Sequence, residues 1–159
     1  MVDRFEAGAE SRWRFFTDQV MGGVSTGRVT LLSEGDMRFA RMTGEVSTEN
    51  RGGFIQMRRD LGSEVAVGAT GVRLVVRGNG QRYFVHLRTR GARLPWQYYQ
   101  AGFEAGPDWA EVRLPFAAFR ASGGFLAREP GAEALTSVAI VAYGRDHAAE
   151  IDVTEIGFY

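Results

Sequence analysis

Short apolar runs alternate with glycine-rich polar segments along the whole 159-residue chain. The runs are rich in valine, phenylalanine, tyrosine, isoleucine and threonine, residue types that favour β-strands. Twenty-one glycines and only four prolines separate the runs, and short strands at this spacing are typical of a β-sandwich. The predicted strands are 27–32, 37–43, 53–58, 72–77, 82–89, 98–104, 111–114, 137–143 and 150–159. Short helical turns are predicted only at 117–120 and 131–135.

Alternation within the strands predicts which side chains are buried, because successive side chains point to opposite faces of a sheet. In 82–89 the apolar set is Tyr83, Val85 and Leu87. In 72–77 the apolar set is Val72, Leu74 and Val76. Both sets are expected to face the core.

The segment 78–81 contains Asn-Gly, which suits the positive-φ turn of a hairpin. We therefore expect 72–77 and 82–89 to be neighbouring strands. Their remaining side chains would then share one polar face, which would also include Val75 and Phe84. The polar members of this predicted face are Arg73, Arg77, Arg82, His86 and Arg88.

Two interpretations of this face stay open at the level of sequence. It is either a solvated sheet surface, on which arginine stems cover apolar neighbours, or the concave binding face of a jelly-roll module. The segment that follows brings Trp96, Tyr98, Tyr99 and Gln100 close together. Aromatic rings beside amide and guanidinium groups are typical of sites for sugar rings or for protein partners.

Composition excludes several classes of function. All nineteen basic residues are arginine and nineteen residues are acidic, so the formal net charge is zero. Nucleic-acid binding is not expected, since it normally requires a basic excess. The absence of lysine excludes Schiff-base chemistry and a Walker-type phosphate loop, and the absence of cysteine excludes thiolate nucleophiles and thiolate metal sites.

The remaining residues give no signature of catalysis. The chain has no Gly-x-Ser-x-Gly elbow and no His-Glu-x-x-His motif, and its two histidines, His86 and His147, lie far apart in the sequence. Carboxylates such as Asp18 and Glu49 are too common to indicate a glycosidase pair. We expect a protein that is not an enzyme, with no cofactor and no metal site.

A structural calcium is a minor alternative, because sandwiches of this kind often bind one through oxygen ligands. Its ligands would come from Asp3 or Glu6 together with Glu150, Asp152 or Glu155. No Asp-x-Asp-x-Asp loop supports it, and the predicted site does not include it.

The N-terminal segment has no apolar core of signal-peptide length, and no run approaches the roughly twenty apolar residues of a membrane-spanning helix. We therefore expect a cytoplasmic protein with no direct membrane insertion.

Two glycine-rich segments, 13–25 and 44–54, differ from ordinary strands. Each is a polar run that contains a Gly-Gly pair. Asp18, Ser25, Glu49 and Asn50 are expected to tie the two segments together by hydrogen bonds to loop backbone. The alternative is that these segments form the rim of a concave binding face.

These segments resemble the family of complex I intermediate-associated protein 30, an assembly factor of NADH:ubiquinone oxidoreductase. The resemblance covers about 13–159 and rests on motifs in the same order along the chain. They are Asp-x-Val-Met-Gly-Gly-Val-Ser at 18–25, Glu-Asn-x-Gly-Gly-Phe at 49–54, Val-Arg-Gly-Asn-Gly-Gln-Arg-Tyr at 76–83, Tyr-Gln-Ala at 99–101 and Trp-x-x-Val-x-Leu-Pro-Phe at 109–116.

The resemblance implies an all-β, galactose-binding-like jelly-roll β-sandwich, the fold of several carbohydrate-binding modules. The best-known relatives are mitochondrial chaperones of complex I assembly, and others accompany dinucleotide-binding domains. This chain has Gly78-Asn79-Gly80 where the family more often has Gly-Asp-Gly. It has no transit-like leader, and its arginine-only basic set suggests a bacterial protein.

We therefore predict one non-catalytic binding domain over 1–159, which holds a protein subunit of a respiratory or membrane complex through the concave face. The alternative is a carbohydrate-binding module that stacks Trp96 or Tyr99 on a sugar ring. The predicted site combines face residues with the rim residues Asp18, Glu49 and Asn50. Its face residues are Arg77, His86, Arg88, Tyr99 and Gln100.

Overall fold

The computed structural model describes residues 2–62 and 67–159, which form two antiparallel β-sheets packed face to face. The strands are β1 (Val2–Asp3), β2 (Trp13–Thr17), β3 (Thr26–Glu34), β4 (Met37–Val46), β5 (Phe54–Asp60), β6 (Gly71–Gly78), β7 (Arg82–Thr89), β8 (Tyr99–Glu104), β9 (Ala110–Pro115), β10 (Arg120–Ala121), β11 (Leu135–Tyr143) and β12 (His147–Phe158). One helical turn, α1, spans Ala9–Arg12. The 3₁₀ turns are Asp18–Met21, Glu49–Arg51, Phe116–Ala118 and Ala132–Ala134.

Sheet A has the strand order β3-β4-β12-β6-β9, and β1 pairs with the C-terminal part of β12. Sheet B has the order β10-β8-β7-β11-β5-β2. Neighbours in the sequence therefore often lie in different sheets, as they do in a β-sandwich with crossing connections. The predicted all-β sandwich is confirmed.

The core lies between the sheets and contains the side chains that alternation assigned to it. Tyr83, Val85 and Leu87 of β7 are fully buried against the inward side chains of sheet A. Val72, Leu74 and Val76 of β6 are buried in the same way. The predicted inward sets of both strands are confirmed.

The predicted hairpin between these two strands is wrong. β6 pairs with β9 and β12 in sheet A, whereas β7 pairs with β8 and β11 in sheet B. The segment 78–81 crosses between the sheets, and Tyr83 fixes it by donating to Oδ1 of Asn79 at 2.5 Å. An Asn-Gly turn serves a crossing loop as well as a hairpin, because both need positive φ. The predicted shared face is therefore divided, with Arg73 and Arg77 on sheet A and Arg82, His86 and Arg88 on sheet B.

A buried ion-pair cluster around Asp3 anchors the N-terminal strands. Sequence patterning did not predict this cluster. The Asp3 carboxylate accepts from Arg12 Nε at 3.1 Å, Trp13 Nε1 at 2.8 Å and Arg59 Nη1 at 3.1 Å. On sheet A, Asp152 is paired in the same way by Arg41 and Arg77. Two of the five carboxylates of the calcium alternative, Asp3 and Asp152, are therefore neutralised by arginines.

The two glycine-rich segments meet at Asp18, whose carboxylate is completely buried. It accepts hydrogen bonds from Ser25 N at 3.0 Å, Ser25 Oγ at 2.6 Å, Gly53 N at 2.5 Å and Phe54 N at 3.3 Å. A Cβ atom at Gly23 or Gly52 would overlap this carboxylate, which explains one glycine of each pair. We name this arrangement the Asp18 clasp. The structural interpretation of Asp18 and Ser25 is confirmed.

We predict that Asp18→Ala destabilises the fold strongly. It leaves the buried amides of Ser25, Gly53 and Phe54 without an acceptor, at a cost of about 3–5 kcal/mol in the free energy of unfolding. Urea unfolding followed by circular dichroism measures this loss. The matched control is Asp146→Ala, because Asp146 also accepts from a backbone amide, that of Thr48, but is exposed. Equal losses in the two variants would contradict a special role for the clasp.

The clasp also predicts a pH dependence of stability. Burial alone raises the pKa of Asp18, but the hydrogen bonds from Ser25, Gly53 and Phe54 outweigh it and hold the pKa below the ordinary 3.8. The stability that this carboxylate contributes is therefore present above pH 3.8 and is lost as the pH falls through the folded-state value. Unfolding of wild type and Asp18→Asn across this range should show their stability difference shrinking on acidification. A difference that is constant with pH would contradict the assignment.

Candidate binding cleft

A cleft of about 660 Å³ lies on the face of sheet B that points away from the core. Its floor is formed by Ser137 and Ala139 of the central strand β11, which have small side chains. Larger side chains on the neighbouring strands and loops form its walls. We call this feature the sheet B cleft. Its lining residues are Phe16, Val20, Met21, Arg51, Gly52, Phe54, Gln56, Arg58, His86, Arg88, Pro95, Trp96, Tyr98, Ser137, Ala139 and Tyr143.

Strand register places the polar lining side chains in rows across the floor. Arg58 on β5 and His86 on β7 lie directly opposite Ala139, one on each side of it. Arg88 lies opposite Ser137 in the next row of the same face. Because only small side chains separate them, polar groups from β5 and β7 converge over the floor from both sides.

His86 is a buried part of the wall rather than a charged group. Its Nε2 lies 2.7 Å from Oε1 of Gln100, so the Nε2–H tautomer donates to that amide oxygen. Its ring stacks on Tyr98 with a centroid separation of 4.1 Å. Burial lowers the pKa of His86 to about 4; the bond to Gln100 opposes this shift and the charge of Arg58 adds to it. The imidazole is therefore neutral at pH 7.

Three arginines, Arg51, Arg58 and Arg88, line the sheet B cleft, and Arg58 and Arg88 flank its floor. The Arg58 guanidinium stacks on Phe16 at 4.8 Å from the ring centroid, and its Nε is buried with no hydrogen-bond partner among the described residues. Arg88 donates to the carbonyl oxygens of Pro95 at 3.0 Å and Ala92 at 3.2 Å. Burial lowers the pKa of Arg58, and the positive charge of Arg88 lowers it further.

Among the described residues, the lining contains arginine but neither aspartate nor glutamate. Oε1 of Gln56, a residue that is 6% exposed, is also buried without a hydrogen-bond partner in the described part of the chain. The sheet B cleft therefore offers positive charge and an unsatisfied acceptor to a ligand.

Apolar side chains form the lips of the cleft. Val20 and Met21 follow β2, and Trp96 precedes β8 on the other side of the sheet. Their exposed fractions are 71%, 61% and 63%. Exposed large apolar side chains that border a concave site are typical of a binding surface.

The structure brings together only some of the predicted face residues. His86 and Arg88 line the sheet B cleft, and Gln100 supports His86 from β8. Arg77 lies instead on sheet A, where it donates to Asp152 at 2.8 Å and Glu34 at 2.7 Å. Tyr99 faces the core, where its hydroxyl donates to the Ala127 carbonyl oxygen at 2.7 Å. Arg77 and Tyr99 therefore do not share a surface with His86.

The predicted rim residues also lie at different places in the structure. Asp18 is buried in the clasp and has no surface for a partner. Glu49 and Asn50 are exposed in the 3₁₀ turn whose last residue, Arg51, lines the cleft. Asn50 Nδ2 donates to the Gly22 carbonyl oxygen at 3.3 Å, so it joins the two loops beside the rim. Whether Glu49 and Asn50 touch a partner stays a prediction.

Sequence patterning missed four central lining residues: Phe16, Gln56, Arg58 and Tyr143. The alternation of side chains along β5 and β11 could have indicated these lining residues, since Gln56 and Arg58 share one face of β5. Tyr98, one residue earlier in the chain, occupies the position on the outer face of sheet B that was expected for Tyr99.

The fold is that of the jelly-roll β-sandwiches of carbohydrate-binding modules. The family 11 module of the cellulosomal cellulase Lic26A-Cel5E of Clostridium thermocellum matches with a TM-score of 0.76 and 11% identity, covering 97% of this chain and 90% of the module. The Clostridium thermocellum family 11 module in complex with a β-1,3-1,4-mixed-linked tetrasaccharide matches at 0.73 and 13%, covering 98% and 92%. A family 30 module matches at 0.57 and 10%, covering 86% and 92%.

The family model of complex I intermediate-associated protein 30 matches residues 4–147, and the chain belongs to that family. The resemblance identified from the motifs and the predicted galactose-binding-like jelly roll are both confirmed. No curated protein matches this chain in a sequence search. Within the described residues, no helix has the length and apolar character to cross a membrane. Over the same residues, no group of three or more Asp, Glu or His side chains could hold a metal ion.

We predict that His86 stays neutral down to a pH of about 4, because burial opposes its protonation. An NMR pH titration of the imidazole signals measures this pKa, with His86→Gln identifying the resonance. Since the folded-state pKa is lower than the ordinary 6.5, the contribution of His86 to stability declines as the pH falls from 6.5 towards 4. A midpoint at 6.5 would show that the ring is solvated and would contradict its place in the wall.

Proposed function

We propose that this chain is a non-catalytic binding module that holds a protein partner in the sheet B cleft, as an assembly factor for respiratory complex I or a related membrane enzyme. Membership of the complex I intermediate-associated protein 30 family supports the biological role. The observation that carries the binding mode is the cleft itself, with apolar lips around a floor bordered by arginines.

This lining suits a polypeptide. Arginine, tryptophan, tyrosine and methionine are enriched in protein interfaces, and all four line the cleft. Trp96 and Met21 would bury apolar side chains of the partner, while Arg88 would pair with polar groups. The described lining is less suited to acid–base catalysis, because it contains no carboxylate and burial lowers the pKa of its histidine to about 4, far from neutral pH.

We predict that Trp96→Ala removes partner capture by weakening binding at least about tenfold, the range expected for loss of an exposed aromatic anchor. The assay is affinity purification of the tagged protein from its own organism after mild cross-linking, with mass spectrometry. Wild type should enrich complex I subunits or their assembly partners. Ala139→Leu, which places a larger side chain on the cleft floor, should have the same effect as Trp96→Ala.

Phe125→Ala is the matched control, because Phe125 is 96% exposed and does not line the cleft. It should capture the partner as wild type does. Capture that survives both cleft variants would contradict the cleft as the binding surface. Absence of any enriched respiratory subunit with wild type would contradict the assembly role.

Carbohydrate binding is a second candidate, favoured by the likeness to the module in complex with a tetrasaccharide and by the aromatic rings of Trp96 and Tyr98. In this case wild type, but not Trp96→Ala, would be retained on immobilised β-glucans and released by free oligosaccharide. Sugar hydroxyls both donate and accept, so a glycan could bond the arginines and Oε1 of Gln56 in this lining. No retention across a broad polysaccharide panel would exclude this candidate.

A further inference from the structure

We infer that Arg58 and Arg88 form a carboxylate-binding subsite over the floor of the sheet B cleft, and that its ligand is an acidic side chain of an extended partner polypeptide. This inference rests on the proposed function and specifies the chemistry that the partner presents.

The geometry places two cations on either side of a floor of small side chains. Arg58 lies opposite Ala139 and Arg88 opposite Ser137, on strands that flank β11. Strands two positions apart in a sheet lie about 10 Å from each other, a gap that two arginine side chains can close from both sides. An anion bound between them would relieve their mutual repulsion.

Neither guanidinium is paired with a carboxylate in the described part of the chain. Arg88 contacts only backbone carbonyl oxygens through its hydrogen bonds, and Arg58 stacks on Phe16. Along the rows of paired strand residues that cross the cleft floor, the nearest carboxylate is that of Asp60, which lies opposite Ser137. Asp60 is exposed, pairs with Arg14 at 3.6 Å and does not line the cleft.

The arginines of sheet A provide a contrast within the same molecule. Arg41 and Arg77 both pair with Asp152, and Arg73 pairs with Glu111 at 2.7 Å. These three arginines are neutralised by the protein itself. The arginines of the cleft lack such partners, which is costly in a partly buried site unless a ligand supplies the negative charge.

Two unsatisfied atoms of the lining can both be satisfied by one residue of a polypeptide that carries the carboxylate. Nε of Arg58 requires an acceptor and Oε1 of Gln56 requires a donor, and both are buried in the lining. Arg58 and Gln56 lie two residues apart on the same face of β5. A peptide supplies a carboxylate oxygen for Arg58 and a backbone N–H for Gln56 within one residue. Its neighbouring side chains would contact the apolar lips at Val20, Met21 and Trp96.

The test is fluorescence anisotropy with a labelled eight-residue glutamate peptide, and the equivalent glutamine peptide is the uncharged control. We expect the glutamate peptide to bind wild type and the glutamine peptide to bind at least about tenfold more weakly. Arg58→Gln and Arg88→Gln should each weaken binding of the glutamate peptide about tenfold or more. Arg28→Gln removes the same charge from an exposed position on sheet A and should leave binding unchanged. Thermal unfolding of each variant verifies that it is folded.

An eight-residue oligogalacturonate carries the same carboxylate chemistry on a glycan. If it binds as tightly as the glutamate peptide, the polypeptide source is overturned. If the peptide does not bind, or if its binding does not change in Arg58→Gln and Arg88→Gln, the subsite is overturned.

These failures are distinguishable from failure of the proposed function. If the peptide does not bind but partner capture still depends on Trp96, only the acidic chemistry is wrong. If the peptide binds through Arg58 and Arg88 but cells give no Trp96-dependent capture, the subsite stands and the assembly role fails.

Discussion

A single buried carboxylate, that of Asp18, determines how two long connections of this sandwich sit against each other. It bonds Ser25 in the connection before β3 and Gly53 in the connection before β5. The same connections carry Met21 and Arg51, which line the sheet B cleft. Asp18, Ser25 and Gly53 of the two glycine-rich segments are therefore structural, and they hold the loops of the candidate site in place.

The arginines beside the sheet B cleft differ from the paired arginines of sheet A. On sheet A, Asp152 accepts hydrogen bonds from both Arg41 and Arg77 and neutralises them. On sheet B, small side chains at Ser137 and Ala139 open a depression, and Arg58 and Arg88 lie beside it without a carboxylate partner. The cleft thus arises from side-chain size on one central strand and from charge left unpaired on its neighbours.

Sequence patterning predicted nine of the twelve described strands, all except β1, β2 and β10. It also predicted the buried set of β7, because a period of two is visible within one strand. It could not assign β6 and β7 to different sheets, because an Asn-Gly turn has the same local chemistry in a hairpin and in a crossing loop. It placed Tyr99 rather than Tyr98 on the outer face, since a loop precedes this strand and its register depends on long-range pairing. Arg58 and His86 are brought together only by their common neighbour β11. The family motifs were enough to predict the fold. Predicting the cleft requires the order of the strands in the sheets.

The central claim is that the outer face of sheet B is the surface that meets a partner. Site-specific photo-cross-linking in the native organism tests it most directly, with benzoylphenylalanine at Trp96 on the cleft lip and at Thr30 on sheet A. We predict a discrete adduct with a respiratory-complex subunit or assembly partner from position 96 and none from position 30. An adduct from position 30 alone would show that the opposite sheet is the binding surface and would contradict the account.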